Sequence, residues 1–353
     1  MRVVVTGATG NIGTATIRAL STDRRVDSVV GVARRPPDQP GLPDVEWVRA
    51  DVATGHLDPV FAGADVVVHL AWLFQPTRDP LTTWNANVLG SRRVFEAAAR
   101  AGARALVYSS SVGAYSPGPK DRTVDETWPT DGWPEAAYTR EKAYVERLLD
   151  AFELSHPDVR VVRLRPGFVF QKQAASQQRR LFAGPLIPGW LARPGVVPVI
   201  PDIPGLRVQV VHADDVGDAV RRAALDEASG PFNLAADPPV DPPVEAGLIA
   251  EILGARTLPV PARAARLAVG AAWAAHLAPA TPGLFEAVLH LPSMDTGRAR
   301  AGLGWVPRSS ARDALEAFLS GLREGAGGPS EPLAADSLKG RLRELATGVG
   351  RRP

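Results

Sequence analysis

The chain is expected to adopt an α/β fold, a doubly wound parallel sheet with a smaller C-terminal lobe. Three observations point there. Short apolar runs alternate with amphipathic helical stretches through the first half of the sequence, a glycine-rich turn joins the first run to the first helix, and the texture becomes rich in proline and glycine after Pro166. Parallel strands are buried on both faces, so they read as continuous apolar runs rather than as alternating ones.

The elements follow in order. Residues 2–5 (Arg-Val-Val-Val) read as a strand, 6–13 as the turn and 14–20 as a helix. Further strands are expected at 26–32, 45–48, 65–70, 105–109 and 159–164, with a helix at 88–101. Val145, Leu148, Leu149 and Phe152 recur at helical intervals and mark 138–152 as an amphipathic helix. Residues 183–204 are rich in Pro and Gly, and helices recur between 244 and 320. Beyond Glu324 the run from Gly325 to Ser330 reads as a flexible linker, and Leu338, Leu342 and Leu345 suggest a short helix within 333–347. The sequence assigns that tail no function beyond a solvated or interface helix.

Composition bounds the function. At 353 residues, 45% hydrophobic and 22% charged, the chain can bury one large core or two modest ones. With no cysteine it has no disulfide, thiolate ligand or cysteine nucleophile, which fits a reducing compartment. Six scattered histidines show no metal-ligand spacing, so no metal is expected. A net charge of +2 with arginines set beside acidic residues argues against nucleic acid as a partner. Met1-Arg2 runs straight into a strand rather than a signal segment, so a cytoplasmic location is expected. Residues 262–278 are apolar but too short for a membrane span, and a buried or lid helix of the smaller lobe is expected there.

Two patterns carry chemistry. In Thr6-Gly7-Ala8-Thr9-Gly10-Asn11-Ile12-Gly13 the glycines suit a tight turn, close approach of backbone to a pyrophosphate, and close helix-on-strand packing. Free N–H groups at the following helix start complete a site for a dinucleotide's phosphates. The second pattern is Tyr138-x-x-x-Lys142, one helical turn apart in a chain with four tyrosines and four lysines. A phenol with an ordinary pKa near ~10 needs a neighbouring cation to act as an acid–base group at neutral pH, and Lys142 is placed to supply it.

Together with His69-Leu70-Ala71, Asn87-Val88-Leu89-Gly90, Tyr108-Ser109-Ser110-Ser111, Arg165-Pro166-Gly167 and His212-Ala213-Asp214-Asp215-Val216, these motifs resemble the extended short-chain dehydrogenases/reductases of the NAD-dependent epimerase/dehydratase superfamily, over residues 1–322. The resemblance implies a Rossmann-type dinucleotide-binding domain over 1–166, rejoined by 207–236. It implies a substrate-binding lobe made of 167–206 and 237–324, and leaves 325–353 as linker and tail. It further implies that Ser111, with Ser109 and Ser110 as fallbacks, bonds the reacting oxygen, that Tyr138 moves its proton, and that Lys142 holds the nicotinamide ribose. The cofactor would touch Gly7, Thr9, Gly10, Asn11, Ile12 and Gly13 in the turn. It would also touch Asp51, Val52, Leu70, Ala71, Asn87 and Ser109, along with Tyr138, Lys142, Pro166 and Gly167.

An acidic residue normally ends the second strand of an NAD site, whereas Arg34-Arg35 stand there. Arginine suits a 2′-phosphate, so NADP is preferred over NAD. The Asp-Glu pair that the family's dehydratases carry after the strand-end serine is replaced by Val112-Gly113, which removes that reaction. Arg207 is offset by one residue from the place where the family's nucleotide-sugar enzymes grip a diphosphate. The apolar run containing Phe182, Leu186, Trp190 and Leu191 suits a small-molecule substrate with a greasy end, contacted by Ser111, Val112 and Trp190. Three readings follow: an NADP-dependent reductase or dehydrogenase at a secondary alcohol or ketone, a nucleotide-sugar epimerase or reductase, and a cofactor-binding regulator without chemistry. Helices 88–101 and 138–153 resemble those that form a dimer interface in the family, so a homodimer is expected.

Overall fold

Seven parallel strands form the central sheet of the computed structural model, which describes residues 1–37, 45–236 and 245–351. They are β1 (Arg2–Thr6), β2 (Ser28–Ala33), β3 (Val45–Arg49), β4 (Val66–His69), β5 (Ala105–Ser109), β6 (Arg160–Pro166) and β7 (Gly230–Leu234), in the spatial order β7-β6-β5-β4-β1-β2-β3. Consecutive residues of each strand feed opposite cores. Val3 and Val5 join Ile17, Leu20, Val216 and Trp305 on one face. Val4 joins Val30, Phe61, Phe95, Leu106 and Leu149 on the other. With a core on each side, every position of a central strand must be apolar, which is why the runs were legible. The strand order reverses between β1 and β4, and a crevice opens there at the carboxyl ends of the strands.

The covering helices are α1 (Asn11–Ser21), α2 (Gly90–Arg100), α3 (Ala137–Ser155) and α4 (Ala213–Leu225). A π-helical turn, Asn85–Leu89, precedes α2 and takes the first two residues of the helix expected from Val88. The chain does return to the sheet, through α4 and β7, and Asp215 clamps that return. Its carboxylate accepts from the backbone N–H groups of Arg308 (2.9 Å) and Ser309 (3.1 Å), while its carbonyl accepts from the indole of the fully buried Trp305 (2.8 Å).

The smaller lobe has its own core, in which Leu253 and Val210 pack on Ala314, Leu315 and Leu319 of α5 (Ala311–Glu324). The lobe segment expected from 237 lies outside the described residues as far as 244, as do the last two residues of the tail. The helix expected at 262–278 forms over Ala262–Ala274, but none of its residues is buried. It rests on the neighbouring helix Pro282–His290 and is held from the main domain by Arg78, whose guanidinium lies 3.6 Å from the Trp273 ring centre. Among the described residues no helix is long and apolar enough to cross a membrane.

The linker reading of 325–330 is corrected by its contacts. Ala326 accepts from the Ser176 hydroxyl (2.6 Å), and Ser330 is buried. A Cβ at Gly327 would sit 2.1 Å from the Ala335 nitrogen, so glycine serves close approach there rather than flexibility. The chain then closes on itself through α6 (Leu338–Thr347), the expected tail helix started five residues later.

Candidate active site

The glycine turn is tightly packed at two of its three glycines. Gly7 has φ +72, and a Cβ there would lie 2.5 Å from the Ala71 nitrogen at the end of β4; one at Gly13 would lie 2.2 Å from the Gly7 carbonyl. Gly10 is different: its added Cβ would meet only the Gly7 carbonyl, at 3.4 Å, and otherwise faces open space. Gly10 also starts α1 with no side-chain cap, leaving the first-turn N–H groups to an anion. The turn therefore fits a pyrophosphate. Gly7→Ala is expected to cost several kcal/mol, since it combines a left-handed backbone with a clash against β4. Thermal denaturation and dinucleotide titration of that variant check it together, and wild-type values in both would refute the packing account.

The turn opens into a cavity of about 370 Å³. Of the residues expected at the cofactor, Gly7, Thr9, Gly10, Arg34 and Arg35 lie on its wall, joined by Asp51, Val52, Leu70, Ala71 and Asn87. Asp51 also caps its own loop, accepting from the Ala53 N–H at 2.9 Å. Asn11 faces sideways: its amide donates to the Val169 carbonyl (2.8 Å) and its oxygen accepts from Gln171 (2.8 Å), tying the start of α1 to the strand pair Phe168–Phe170 and Val210–His212. Ile12 packs on the core, and a Cβ at Gly167 would lie 2.4 Å from the Gln209 carbonyl, with Pro166 paired to Leu234 in the sheet.

The three serines at the end of β5 have separate surroundings. The Ser109 carbonyl accepts from the Lys142 ammonium (2.7 Å), and the Ser110 hydroxyl donates to Glu146 (2.6 Å). Ser111 accepts from the Gly113 N–H (3.0 Å) and lies close enough to Tyr138 to lower its phenol. A Cβ at Gly113 would sit 2.8 Å from the Tyr138 ring and 3.4 Å from the Ser111 hydroxyl oxygen, so glycine at 113 leaves the room in which the ring and the hydroxyl converge. The structure thus brings Tyr138 to Ser111, while the Ser110 hydroxyl is engaged with Glu146.

Burial pushes the Tyr138 phenol up to about 12, against a smaller lowering by Ser111. The lowering expected from Lys142 is not part of this arrangement. Lys142 is buried, donates to Ser109 and to the Tyr108 hydroxyl (3.3 Å), and lies 3.5 Å from the centre of the Trp72 ring; burial holds its ammonium well below the ordinary lysine range. His69 at the end of β4 is kept neutral: burial and the nearby Lys142 lower it to about 3, while it bonds Thr6 (2.7 Å) and Ser91 (2.9 Å).

Several residues escaped the sequence reading. Phe74 stacks on Tyr138 (centroids 4.9 Å, 14°) and Trp72 meets it edge-on at 5.9 Å, so the loop after β4 forms an aromatic wall beside the phenol. Their signal was available, as aromatic residues directly after a strand end where ligand is expected. Asn87 braces this loop in both directions, accepting from Leu73 N–H (2.7 Å) and donating to its carbonyl (2.8 Å), and it donates to buried Glu141 (2.7 Å) as well. Trp190 is 51% exposed and off the cavity wall, which Leu181 reaches instead. Val112 is buried against Tyr115, Leu291 and Met294. Arg207 is ion-paired with Glu245 (3.0 Å), away from the cavity.

Comparison with known proteins gives the chain its family. The model of the family described as "NAD dependent epimerase/dehydratase family" matches residues 3–235. An uncharacterized protein of Mycobacterium tuberculosis is 30% identical over 331 residues, which are 92% of this chain but 30% of that protein. The chain thus spans about a third of the length of the curated relatives it first matches. A 3-diazoavenalumate denitrifying reductase of a Streptomyces species is 30% identical over 335 residues, 89% of this chain and 99% of that one. Among solved structures, the UDP-glucose 4-epimerase of Thermus thermophilus in complex with NAD superposes with a TM-score of 0.67 at 21% identity, covering 92% of this chain and 99% of that one.

Proposed function

Because the chain belongs to the NAD-dependent epimerase/dehydratase family, we propose that it is an NAD(P)-dependent oxidoreductase that transfers hydride at a secondary alcohol or ketone carbon, with Tyr138 as its acid–base group. The observation that carries this reading is the convergence of the Tyr138 ring and the Ser111 hydroxyl over Gly113, beside the crevice where the glycine turn opens. The dinucleotide, when bound, gives or takes the hydride. The chain's own residues do the rest. Ser111 holds the reacting oxygen, Tyr138 moves the proton at that oxygen, and Lys142, fixed between Ser109, Tyr108 and Trp72, offers its ammonium to the ribose. The aromatic wall of Trp72 and Phe74 keeps water from the phenol.

The reductase reading is favoured over epimerase chemistry on a sugar nucleotide by two observations. Arg207, the residue nearest in sequence to a diphosphate grip, is held by Glu245 outside the cavity. The reductase relative matches nearly its whole length. The substrate is accordingly an alcohol or ketone with an apolar end, and the enzyme works as a cytoplasmic homodimer through the faces of α2 and α3. NADP is the preferred dinucleotide, and Arg34 is the contact for its 2′-phosphate, since Arg35 is paired with Glu331. Arg34→Ala should weaken NADPH about 10- to 100-fold and NADH far less, given ~1.5–3 kcal/mol for a charge-assisted bond. Fluorescence titration with both dinucleotides measures it, and equal losses for the two would remove Arg34 from that role. The test of the reaction is NADPH oxidation across a panel of apolar ketones and nucleotide sugars. Ketone-dependent oxidation supports the reductase; an isomerised sugar without net oxidation would move the chemistry to an epimerase.

A further inference from the structure

The C-terminal tail follows the rim of the cofactor cavity from one end to the other. The Ser330 hydroxyl donates to the Thr9 carbonyl inside the glycine turn (2.7 Å), and both residues are buried. The next residue, Glu331, ion-pairs with Arg35 at the end of β2. Arg180 then donates to the carbonyls of Pro332 (2.7 Å) and Ala334 (2.9 Å), and Leu333 is buried beneath. Past α6 the Gly350 carbonyl accepts from the Thr77 N–H (2.9 Å), in the loop after β4. The tail residues Glu331, Pro332, Ser337 and Gly350 face the same cavity as Gly10 and Arg34.

We propose that residues 330–350 are the outer wall of the dinucleotide site, and that Glu331 is a specificity-determining residue that weakens the hold on a 2′-phosphate. The inference rests on the dinucleotide reading above. The end of β2 lacks the carboxylate that rejects a 2′-phosphate. Here a carboxylate reaches that place from the far end of the chain. It acts twice: it neutralises Arg35, which would otherwise reinforce Arg34, and its own charge repels a phosphate. Both partners are partly exposed (44% and 39%), so the pair is not a lock. The carboxylate shifts the choice between two dinucleotides rather than deciding whether one binds.

A like charge at roughly 5 Å in a partly solvated cleft alters affinity by about 5- to 100-fold. Glu331→Gln, which keeps the side chain's size, should therefore tighten NADPH at least five-fold and leave NADH within about two-fold, both read as dissociation constants by fluorescence titration. An unchanged ratio of the two constants, in a variant that binds both, overturns the specificity role alone. If the wild-type protein binds neither dinucleotide, the reading beneath it fails instead. The wall itself has a separate readout. Saturating NADPH should slow tryptic cleavage at Arg341 and Arg343 several-fold in the wild-type chain, and cleavage at the same rate with and without the dinucleotide overturns it.

Discussion

Tyr138→Phe should lower kcat by two to four orders of magnitude while leaving the dinucleotide dissociation constant within about two-fold. The substitution removes only the hydroxyl. The ring keeps its stack on Phe74 and its edge contact with Trp72, so the packing around Gly113 survives. What is lost is the oxygen that meets Ser111. Because burial holds that phenol near 12, it is protonated throughout the neutral range and stands ready to give a proton to a carbonyl oxygen. Reduction should accordingly show no loss of rate from this group as pH rises from 6 to 9. Steady-state assays beside dinucleotide titration decide the matter. Undiminished turnover in both Tyr138→Phe and Lys142→Ala would sink the mechanism, and a matching loss of dinucleotide binding in Tyr138→Phe would reassign the residue to structure.

How far the sequence led depends on whether a feature is local. The strands of the sheet are continuous apolar runs because both faces are buried, and Gly7, Gly10 and Gly13 sit together on the chain. Tyr138 and Lys142 lie on one helix turn. All of these are visible within a few residues. The roles that arise between distant segments were not. Lys142 was expected to act on Tyr138, but it points to Ser109 and Tyr108 on the neighbouring strand, a choice set by tertiary packing. The tail read as a linker because glycine and proline signal flexibility. Its glycines instead allow close contact, and its serine finds a partner 321 residues away. The exposed helix Ala262–Ala274 failed in the other direction: an alanine-rich stretch reads as core, yet small side chains can line a surface as easily as fill an interior.

The same limit hid the polar centre of the domain. On α3 Glu141 and Glu146 lie outside the apolar set that marks the helix in the sequence, yet both are buried. Glu146 is fully enclosed beneath Ser110. Arg165 grips it in a two-pronged bond (2.9 and 3.0 Å), Arg163 adds a third contact at 3.1 Å, and Arg165 reaches on to the Tyr115 hydroxyl (3.0 Å). Both arginines stand on β6, which brings α3 and β5 into register behind the Tyr138 and Ser111 pair. The network is one physical link between the sheet and the candidate catalytic groups, beside that of Lys142 to Ser109 and Tyr108.

Removing its centre should therefore be expensive. Glu146→Ala leaves two guanidinium groups buried beside each other without their shared carboxylate, and the expected loss is about 3–5 kcal/mol. That is a large part of the roughly 5–15 kcal/mol that holds a domain together. Glu146→Gln keeps the shape and part of the bonding, and isolates the charge. Burial alone would raise this carboxyl, but the bonds and charge of Arg165, with Arg163 and Ser110, outweigh it and hold it at about 2 against an ordinary 4.5. A folded-state pKa below the unfolded one stabilises the protein fully above about 4.5, and the contribution disappears as pH falls toward 2. The difference in unfolding free energy between wild type and Glu146→Gln, from urea titrations, should thus shrink by about 3 kcal/mol between pH 6 and pH 2.5. Parallel pH curves for the two proteins would mean that the charge of Glu146 contributes nothing, and that the arginines are held by their other partners, Asp150 and Glu153 for Arg163 and Tyr115 for Arg165.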